Sequence, residues 1–376
     1  MMIALTDIQK EVQKTFQEFT DKHVKPVASK IDEEKQFPHT LFKQVGDLGF
    51  FGMRYPQSEG GEGLDVVSYI LAVMELSRGS MSLAAACTMQ SLMGTYFLYR
   101  FGNTEIKEHY FLEALKGNKI GGICMTEPDA GSDLMSIKTT ATVTADGFIL
   151  NGQKTWITSA PVANFFTVFA RTNNHDQLSI FFVPATAQGV MIGKNIEKMG
   201  VRASLTSEVA FDNVHLPPHY LLGEIGSGTK CLREILAEIR IMTGALAIGI
   251  ATAAYQDALE YANTRIQFGK PVGKFQAIQL KFADMAVKLE TAKSYVLYAA
   301  SLSDSNQPRQ KESMIAKLYA SECAASICDE ASRVLASYGY ATEYNMERYL
   351  RDVRFTLIGG GTSEILKINI AKEMGL

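Results

Sequence analysis

The sequence has few of the features that mark extracellular, metal-dependent or nucleic-acid-binding proteins. Its five cysteines are scattered without the spacing of a disulfide framework or a metal site. The formal net charge of −3 provides no basic surface for nucleic acid. No basic segment precedes an apolar run at the amino terminus, and no charge-free apolar stretch is long enough to span a bilayer. We therefore expect a cytoplasmic protein with reduced thiols, no metal, no nucleic-acid partner and no membrane span.

A chain of 376 residues is long enough for several domains, and its hydrophobic pattern changes character twice. Residues 1–118 carry apolar side chains at helical spacing, residues 119–225 contain short alternating segments, and residues 226–376 return to helical spacing. The expected fold class is α+β. It comprises an N-terminal α-helical domain (1–118), a middle antiparallel β domain (119–225) and a C-terminal four-helix bundle (226–376).

Three local signals support this division. Thr6 and Gln9 have the spacing of a capping box at the start of a helix. Asp146-Gly147 lies between two alternating segments, which predicts a hairpin turn. A segment from about Thr229 to Thr264 is rich in small residues and predicts a long helix that neighbouring helices approach closely.

The run Met125–Asp133 joins an apolar segment to a turn built from Pro128 and Gly131. Hydroxyls at Thr126 and Ser132 flank free backbone N–H groups, so this loop can present several donors to a planar or anionic ligand. A Pro/Gly surface turn without a ligand explains the same residues.

Three further segments follow this loop: Gly152–Thr158, Arg265–Pro271 and Gly359–Ile365. Their order and spacing, together with Met125–Asp133, resemble those of the acyl-CoA dehydrogenase family. The resemblance covers nearly the whole chain and implies the α, β, α domain order inferred above.

The resemblance also implies bound FAD. The indole of Trp156, the only tryptophan, can cover one edge of a flavin, and the Thr158 hydroxyl two residues on lies on the same side of a strand. A lone tryptophan in a strand is otherwise a core residue. By resemblance, the flavin contacts of this part of the chain are Met125, Thr126, Gly131, Ser132, Trp156, Ile157 and Thr158.

A second set of FAD contacts is implied to come from a neighbouring subunit, in a homotetramer built as a dimer of dimers. Arg265 would pair with the pyrophosphate, although alone it is a cation at a helix C-terminus. The family's Gln-Ile-Leu-Gly-Gly-x-Gly patch reads Arg333–Gly339 here and lacks the glutamine and two of the glycines. The implied contacts from that subunit are Arg265, Gln267, Phe268, Gln276, Ala336, Ser337 and Gly339. Thr362 and Glu364 are further implied FAD contacts.

The family's catalytic base is a glutamate held at one of two positions, and this chain has a carboxylate at neither. One position is Gly360, and the other is Ile239, which precedes Arg240. Glu238 is one residue away, which is a rotation of roughly 100° on an α-helix, and a π-bulge would restore the register. We predict Glu238 as the base; the alternative is a helix-surface residue paired with nearby cations.

The substrate contacts implied by resemblance are Ser132, Arg240, Gly360 and Gly361. The two glycines can donate a backbone N–H to the thioester carbonyl without any side chain. Gly359 and Gly360 also leave space at the wall facing the flavin, which predicts a branched, cyclic or bulky acyl group. A flexible turn ahead of the last helix accounts equally for the glycines.

The predicted function is that of an FAD-dependent acyl-thioester (acyl-CoA) dehydrogenase. It would remove an α-proton, transfer a β-hydride to flavin N5, and pass electrons to an electron-transfer flavoprotein or a similar acceptor. Three alternatives stay open: an acyl-carrier-protein-tethered acyl dehydrogenase, a flavin-dependent oxygenase on the same scaffold, and a catalytically silent flavoprotein scaffold.

Overall fold

Helices form the first block of the structure, a computed structural model that describes residues 4–172 and 177–376. The predicted capping box is present, because Thr6 accepts from the Gln9 N–H and Gln9 accepts from the Thr6 N–H. A π-helical segment, Gln90–Gly94, interrupts the helical run that follows residue 80. The α-helices of this block are α1 (Asp7–Phe19), α2 (Ala28–Glu34), α3 (His39–Asp47), α4 (Val66–Gly79), α5 (Met81–Met89), α6 (Tyr96–Phe101), α7 (Thr104–Ile106) and α8 (Leu112–Leu115).

A seven-stranded sheet forms the middle block. The order of its strands is β1-β4-β2-β3-β7-β6, and β5 pairs with β4. The predicted hairpin at Asp146-Gly147 joins β2 to β3. The strands are β1 (Gly121–Cys124), β2 (Thr140–Thr144), β3 (Gly147–Thr158), β4 (Phe165–Thr172), β5 (Gln177–Pro184), β6 (Val190–Ile192) and β7 (Thr206–Leu216).

The sheet is mixed, and the expectation of purely antiparallel pairing is wrong for β1. Strand β1 runs parallel to β4, with Gly121 opposite Phe165, and a single pair joins β2 and β4 in the same sense. The other pairs are antiparallel. The chain leaves β1 through a long loop and the β2–β3 hairpin before it enters β4, and this crossover allows the two strands to run in the same direction.

The third block returns to helices and confirms the predicted α, β, α architecture. Helix α9 packs against α10, α11 and α12 of its own block and against α4 of the first block. A short hairpin, β8 (Ile266–Gln267) and β9 (Lys270–Pro271), follows α9. The helices are α9 (Gly228–Thr264), α10 (Gln276–Asp304), α11 (Gln310–Leu335), α12 (Met346–Ile358) and α13 (Ser363–Glu373).

Helix α9 is long and apolar enough to cross a membrane by length and composition, and it is the one such helix among the described residues. Within the fold, 89% of its apolar window is buried. This burial is what a central core helix requires, so its composition is explained by packing.

The close contact between α9 and α4 depends on Gly249. A Cβ at this position would lie 2.3 Å from the Met74 carbonyl oxygen and 2.6 Å from the Ser77 Cβ. The Ser77 hydroxyl also donates to the Leu246 carbonyl at 2.7 Å. A larger residue at 249 would therefore separate the N-terminal and C-terminal helices.

We predict that Gly249→Ala lowers the free energy of unfolding by about 1–3 kcal/mol, because the added methyl group meets backbone atoms that cannot yield. The matched control is Gly131→Ala, where a Cβ has no atom within 4 Å. Its stability should stay within about 0.5 kcal/mol of the unmodified chain. Urea unfolding of both variants measures the difference, and equal effects would contradict this account of the packing.

Candidate active site

The loop that follows β1 is fastened to β3 by a buried ion pair. Lys154 is fully buried, and its Nζ lies 2.8 Å from Glu127 Oε1 and donates to the Met125 carbonyl at 3.1 Å. The Glu127 carboxylate also accepts the backbone N–H groups of Lys138 and Thr139. One carboxylate therefore joins both ends of the loop to the strand that carries Trp156.

Burial and the partner charge act in opposite directions on both members of this pair. Burial alone would raise the pKa of Glu127, but the hydrogen bonds from Lys154 and Thr139 bring it below its ordinary value. Burial lowers the pKa of Lys154, and the facing carboxylate opposes that shift. The pair is therefore a structural connection between the loop and β3.

The side chain of Trp156 leaves the sheet at a β-bulge. Lys154 pairs with Val209 and Ile157 with Ser207, so β3 has one extra residue between these pairs. Trp156 lies at the bulge with φ +59° and is 57% exposed. Ile157 is turned into the apolar core of the sheet. The bulge therefore presents a large aromatic ring outside the core, where a planar ligand can pack on it.

The loop itself is open on the side away from Glu127. No atom lies within 4 Å of a Cβ placed at Gly131, Ser132 is exposed, and Met125 and Thr126 are half-buried. The Thr126 carbonyl accepts from the Thr155 N–H at 2.9 Å, so the loop and the Trp156 segment are adjacent. Apolar side chains line a small recess beside the loop; they are Met125, Leu134, Ile137, Phe169, Leu178 and Leu232.

The segments assigned to a neighbouring subunit lie together at the far end of α9. Arg265 ends this helix, and its guanidinium lies 5.5 Å from the centre of the Tyr338 ring. Phe268, at the tip of the hairpin, is 93% exposed with φ +52°. Gln267 is exposed on the same hairpin, and Gln276 begins α10. The structure thus gathers these residues on one surface.

Ala336 retains the backbone geometry of a glycine. It has φ +53° and ψ −128° at the end of α11, a conformation that residues with a Cβ rarely adopt. Ser337 and Gly339 follow in a 3₁₀ turn. The alanine that replaces a family glycine therefore leaves the turn in place and introduces strain.

The two positions at which the family holds its base face each other across a gap without a carboxylate. A Cβ at Gly360 would lie 3.5 Å from Ile239 Cγ2 and 3.2 Å from Thr243 Oγ1. Gly360 has φ +73°, which disfavours any residue with a side chain. Thr362 then caps α13, and Glu364 lies exposed in its first turn. Gly359 has a different role. A Cβ at this position would lie 2.9 Å from the Phe355 ring, so the missing side chain makes room for that ring.

Glu238 is held by cations away from this gap. Its carboxylate lies 2.6 Å from Arg309 Nη2 and 3.5 Å from Arg54 Nη1, and it accepts from the Ser303 hydroxyl at 3.3 Å. The expected π-bulge is absent, because residues 228–264 form a continuous α-helix. The assignment of Glu238 as base therefore stays a prediction that the local geometry does not favour.

Two buried cations border the gap instead. Arg240, only 8% exposed, points its Nε at the Gly360 carbonyl at 3.5 Å. Lys317 on α11 is fully buried and donates to the Gly361 carbonyl at 2.7 Å. Neither cation forms an ion pair within the described parts of the chain. Positive charge is therefore concentrated where the family places a negative one.

Sequence reasoning missed Lys317 and the Lys154–Glu127 pair. A usable signal for Lys317 was present, because it shares the helical face of Ser313, Ala316 and Ala320, all of which are buried. A lysine on an otherwise small and apolar face indicates a buried charge. The ion pair carried no comparable signal, because its partners belong to different strands and loops.

Comparisons with known proteins agree with this geometry. Models of the acyl-CoA dehydrogenase N-terminal, middle and C-terminal domains match residues 6–118, 122–214 and 226–375. The chain belongs to the acyl-CoA dehydrogenase family. It is an oxidoreductase acting on CH–CH bonds, and its functional class as predicted from the sequence is confirmed.

Three similar proteins illustrate the match. Benzylmalonyl-CoA dehydrogenase of Aromatoleum aromaticum is 58% identical over 371 residues, which cover 98% of each chain. Butyryl-CoA dehydrogenase from Megasphaera elsdenii superposes with a TM-score of 0.96 at 34% identity and full coverage of both chains. A glutaryl-CoA dehydrogenase from Mycobacterium smegmatis in complex with FADH2 gives a TM-score of 0.94 at 31% identity, with 98% and 95% coverage.

We predict that Lys154→Met destabilises the fold by about 3–5 kcal/mol and lowers the flavin content, because it leaves the Glu127 carboxylate buried and unpaired. The matched control is Lys138→Met in the same loop. Its ion pair with Asp129 is 75% exposed on both sides and should contribute little. Thermal unfolding and the bound flavin per chain measure both effects, and equal losses in the two variants would refute the role of the buried pair.

We predict that Ala336→Gly raises the free energy of unfolding by about 1 kcal/mol, because glycine adopts the observed φ without strain. The control is Ala331→Gly in the regular part of the same helix, which should lower it by about 1 kcal/mol. Chemical unfolding of both variants tests this. A destabilised Ala336→Gly protein would show that the turn is not strained.

Proposed function

We propose that the chain is an FAD-dependent dehydrogenase of thioesters that carry a carboxylate and a bulky group on Cα, as in an arylmethyl-malonyl thioester. The observation that carries the proposal is the gap between Ile239 and Gly360, which holds no carboxylate to act as base. The name of the 58% identical relative, a benzylmalonyl-CoA dehydrogenase, supports both the α-carboxylate and the bulky group.

In the proposed reaction, loss of CO2 takes the place of proton abstraction. The bond between Cα and the carboxylate breaks, and its electron pair stays on Cα as a thioester enolate. A hydride then leaves Cβ and the α,β-double bond forms, so that the products are the unsaturated thioester and CO2. FAD, when bound, supplies the acceptor for that hydride. No protein base is required, which fits the residues at 239 and 360.

The residues of the chain fit an isoalloxazine ring. Trp156 exposes its ring at the bulge, Gly131 leaves open space beside it, and Thr126, Ser132 and Thr158 offer hydroxyls. Met125 and Ile157 complete this side of the proposed site. The adenine half is proposed to be held by a neighbouring subunit of a homotetramer, through Arg265, Gln267, Phe268, Gln276, Ala336, Ser337 and Gly339. Thr362 and Glu364 are further proposed FAD contacts.

The thioester carbonyl is proposed to bind at the glycine loop. The carbonyl oxygens of Gly360 and Gly361 are engaged by Arg240 and Lys317, which fixes the orientation of the intervening peptide. In the described structure neither glycine N–H donates a hydrogen bond outside the helices, so both can point at a substrate oxygen. Such donors stabilise the negative charge that develops on the enolate.

The carrier, acceptor and compartment are proposed from the same comparisons. Coenzyme A is preferred to an acyl carrier protein as the thiol, because the 58% identical relative is a CoA enzyme. An electron-transfer flavoprotein is the proposed acceptor, and the cytoplasm is the proposed location. A Cβ at Gly360 would lie 3.2 Å from Thr243 Oγ1, so the bulky acyl group is proposed from the name of that relative and not from space at the glycine loop.

We predict that benzylmalonyl-CoA bleaches the flavin under anaerobic conditions and releases one CO2 for each unsaturated thioester. 3-Phenylpropanoyl-CoA, which lacks only the carboxylate, should reduce the flavin at least about 10²-fold more slowly, because it needs a base. Stopped-flow absorbance with CO2 and thioester analysis measures both.

Glu238→Gln is the discriminating variant for this prediction. We expect the benzylmalonyl-CoA rate to be unchanged, because the Glu238 carboxylate is occupied by Arg309 and Arg54. Equal rates for the two thioesters, together with loss of both in Glu238→Gln, would replace the proposal with Glu238-dependent proton abstraction.

A further inference from the structure

Two buried positive charges without a negative partner lie beside the glycine loop. Two other buried cations have carboxylates, because Lys154 faces Glu127 at 2.8 Å and Arg78 faces Glu75 at 2.7 Å, whereas buried Arg348 forms no ion pair among the described residues. Arg240 and Lys317 instead make hydrogen bonds to backbone carbonyls. Since a buried charge without a counter-ion is costly, this arrangement requires an explanation.

The terminal nitrogens of Arg240 are free to bind an anion. Only Nε has a hydrogen bond within the described residues, and that bond is long at 3.5 Å. The two Nη atoms have no hydrogen-bond partner among the described residues, and they are not fully enclosed by protein. A guanidinium in this state presents a donor pair that matches a carboxylate.

The carboxylates nearest to Lys317 do not neutralise the pair. Glu322 accepts from the Ser363 hydroxyl at 2.6 Å, and Glu364 is exposed in the first turn of α13. Neither comes within ion-pair distance of Lys317 or Arg240. The space where a side chain at position 360 would stand is bounded by Ile239 and Thr243, which carry no charge.

We propose that Arg240, supported by Lys317, is the recognition site for the α-carboxylate of the substrate, which binds beside Gly360 at the terminal nitrogens of Arg240. This inference rests on the proposed function. The substrate thereby supplies the negative charge that the chain lacks at positions 239 and 360. Arg240 is the binding group, and Lys317 is a positioning residue that acts through the Gly361 carbonyl.

The roles of the two cations predict where their effects fall. A salt bridge stabilises the carboxylate before CO2 leaves, so it strengthens binding and does not accelerate cleavage. Removing the Arg240 charge should therefore raise KM and Kd for carboxylated thioesters more than it lowers kcat. The effect on thioesters without the carboxylate should be smaller, because they lose only the support that Arg240 gives to the Gly360 carbonyl.

The site should weaken in mildly alkaline solution. Burial lowers the pKa of Lys317 to about 8; Glu322 and Glu364 oppose this shift, and Arg240 adds to it. As the pH rises through that value, Lys317 loses its proton and the site loses one of its two charges. Affinity for a carboxylated ligand should therefore fall above this pH, while Arg240 stays charged.

The test compares malonyl-CoA with acetyl-CoA on the holoenzyme by titration calorimetry. The two ligands differ only in the α-carboxylate, and neither has a Cβ–H bond to oxidise, so the result does not depend on turnover. Chromatography after each titration detects any malonyl-CoA that has lost CO2. We expect malonyl-CoA to bind at least about tenfold more tightly to the unmodified enzyme.

Variants then show which residues produce the preference for malonyl-CoA over acetyl-CoA. Arg240→Gln should lower the affinity for malonyl-CoA much more than the affinity for acetyl-CoA and so remove the preference, and Arg240→Lys should retain part of it. Lys317→Gln should make it independent of pH between about 7 and 9.5, since its amide can still donate to Gly361 without titrating. Arg233→Gln removes a charge from an exposed position of the same helix and should leave the preference intact.

Equal affinity of the unmodified enzyme for the two ligands would overturn the inference, as would an equal loss of both affinities in Arg240→Gln. If Arg240→Gln does not fold, the comparison of the unmodified enzyme with Arg240→Lys still tests whether the preference for malonyl-CoA depends on the Arg240 guanidinium. Failure of the proposed function has a different signature. A malonyl-CoA preference without CO2 release from benzylmalonyl-CoA would retain the anion site and reject the decarboxylating reaction.

Discussion

The packing of helix α9 is the constraint on which both halves of the site depend. Because Gly249 has no side chain, α9 lies directly against α4, and its axis is fixed relative to the N-terminal helices. Ile239 and Arg240 then face Gly360, and Arg265 at the end of the same helix lies beside Tyr338. A shift of α9 would therefore disturb the substrate gap and the proposed inter-subunit cofactor contacts together, which explains why the helix is so fully buried.

Signals that are local in sequence predicted their structures well, and those that depend on distant partners did not. The capping box at Thr6 and the extent of α9 follow from neighbouring residues, and both agree with the structure. The parallel pairing of β1 with β4 depends on the route of the chain between them, which no strand residue encodes. The bulge at Trp156 likewise depends on the register with β7. The motif residues were recognised by resemblance, but the buried charges around them required three-dimensional contacts.

Three segments assigned to the cofactor each contain a non-glycine residue with a strained backbone, as do other described parts of the chain, for example at Val201. Trp156, Phe268 and Ala336 all have positive φ, and each lies in a different motif. A tryptophan and a phenylalanine in this conformation are held there by the surrounding structure, at a cost of order 1–3 kcal/mol each. In both cases the consequence is an aromatic ring that is directed away from the core and largely exposed. The strain is thus coupled to the presentation of these rings, which local packing alone would not produce.

The buried charges around Lys154 differ from those around Arg240 and Lys317 in whether the chain supplies the negative partner. Around Lys154 the chain supplies both charges, so the ion pair is complete and holds a loop permanently. Around Arg240 and Lys317 it supplies only the positive ones, so an anion must come from outside. A simple acyl thioester brings no such charge and also needs a base that positions 239 and 360 do not provide. A thioester with an α-carboxylate brings the missing charge and a group whose departure generates the enolate. The absent side chain at Gly360 therefore removes the base and leaves the two cations beside it without a carboxylate partner.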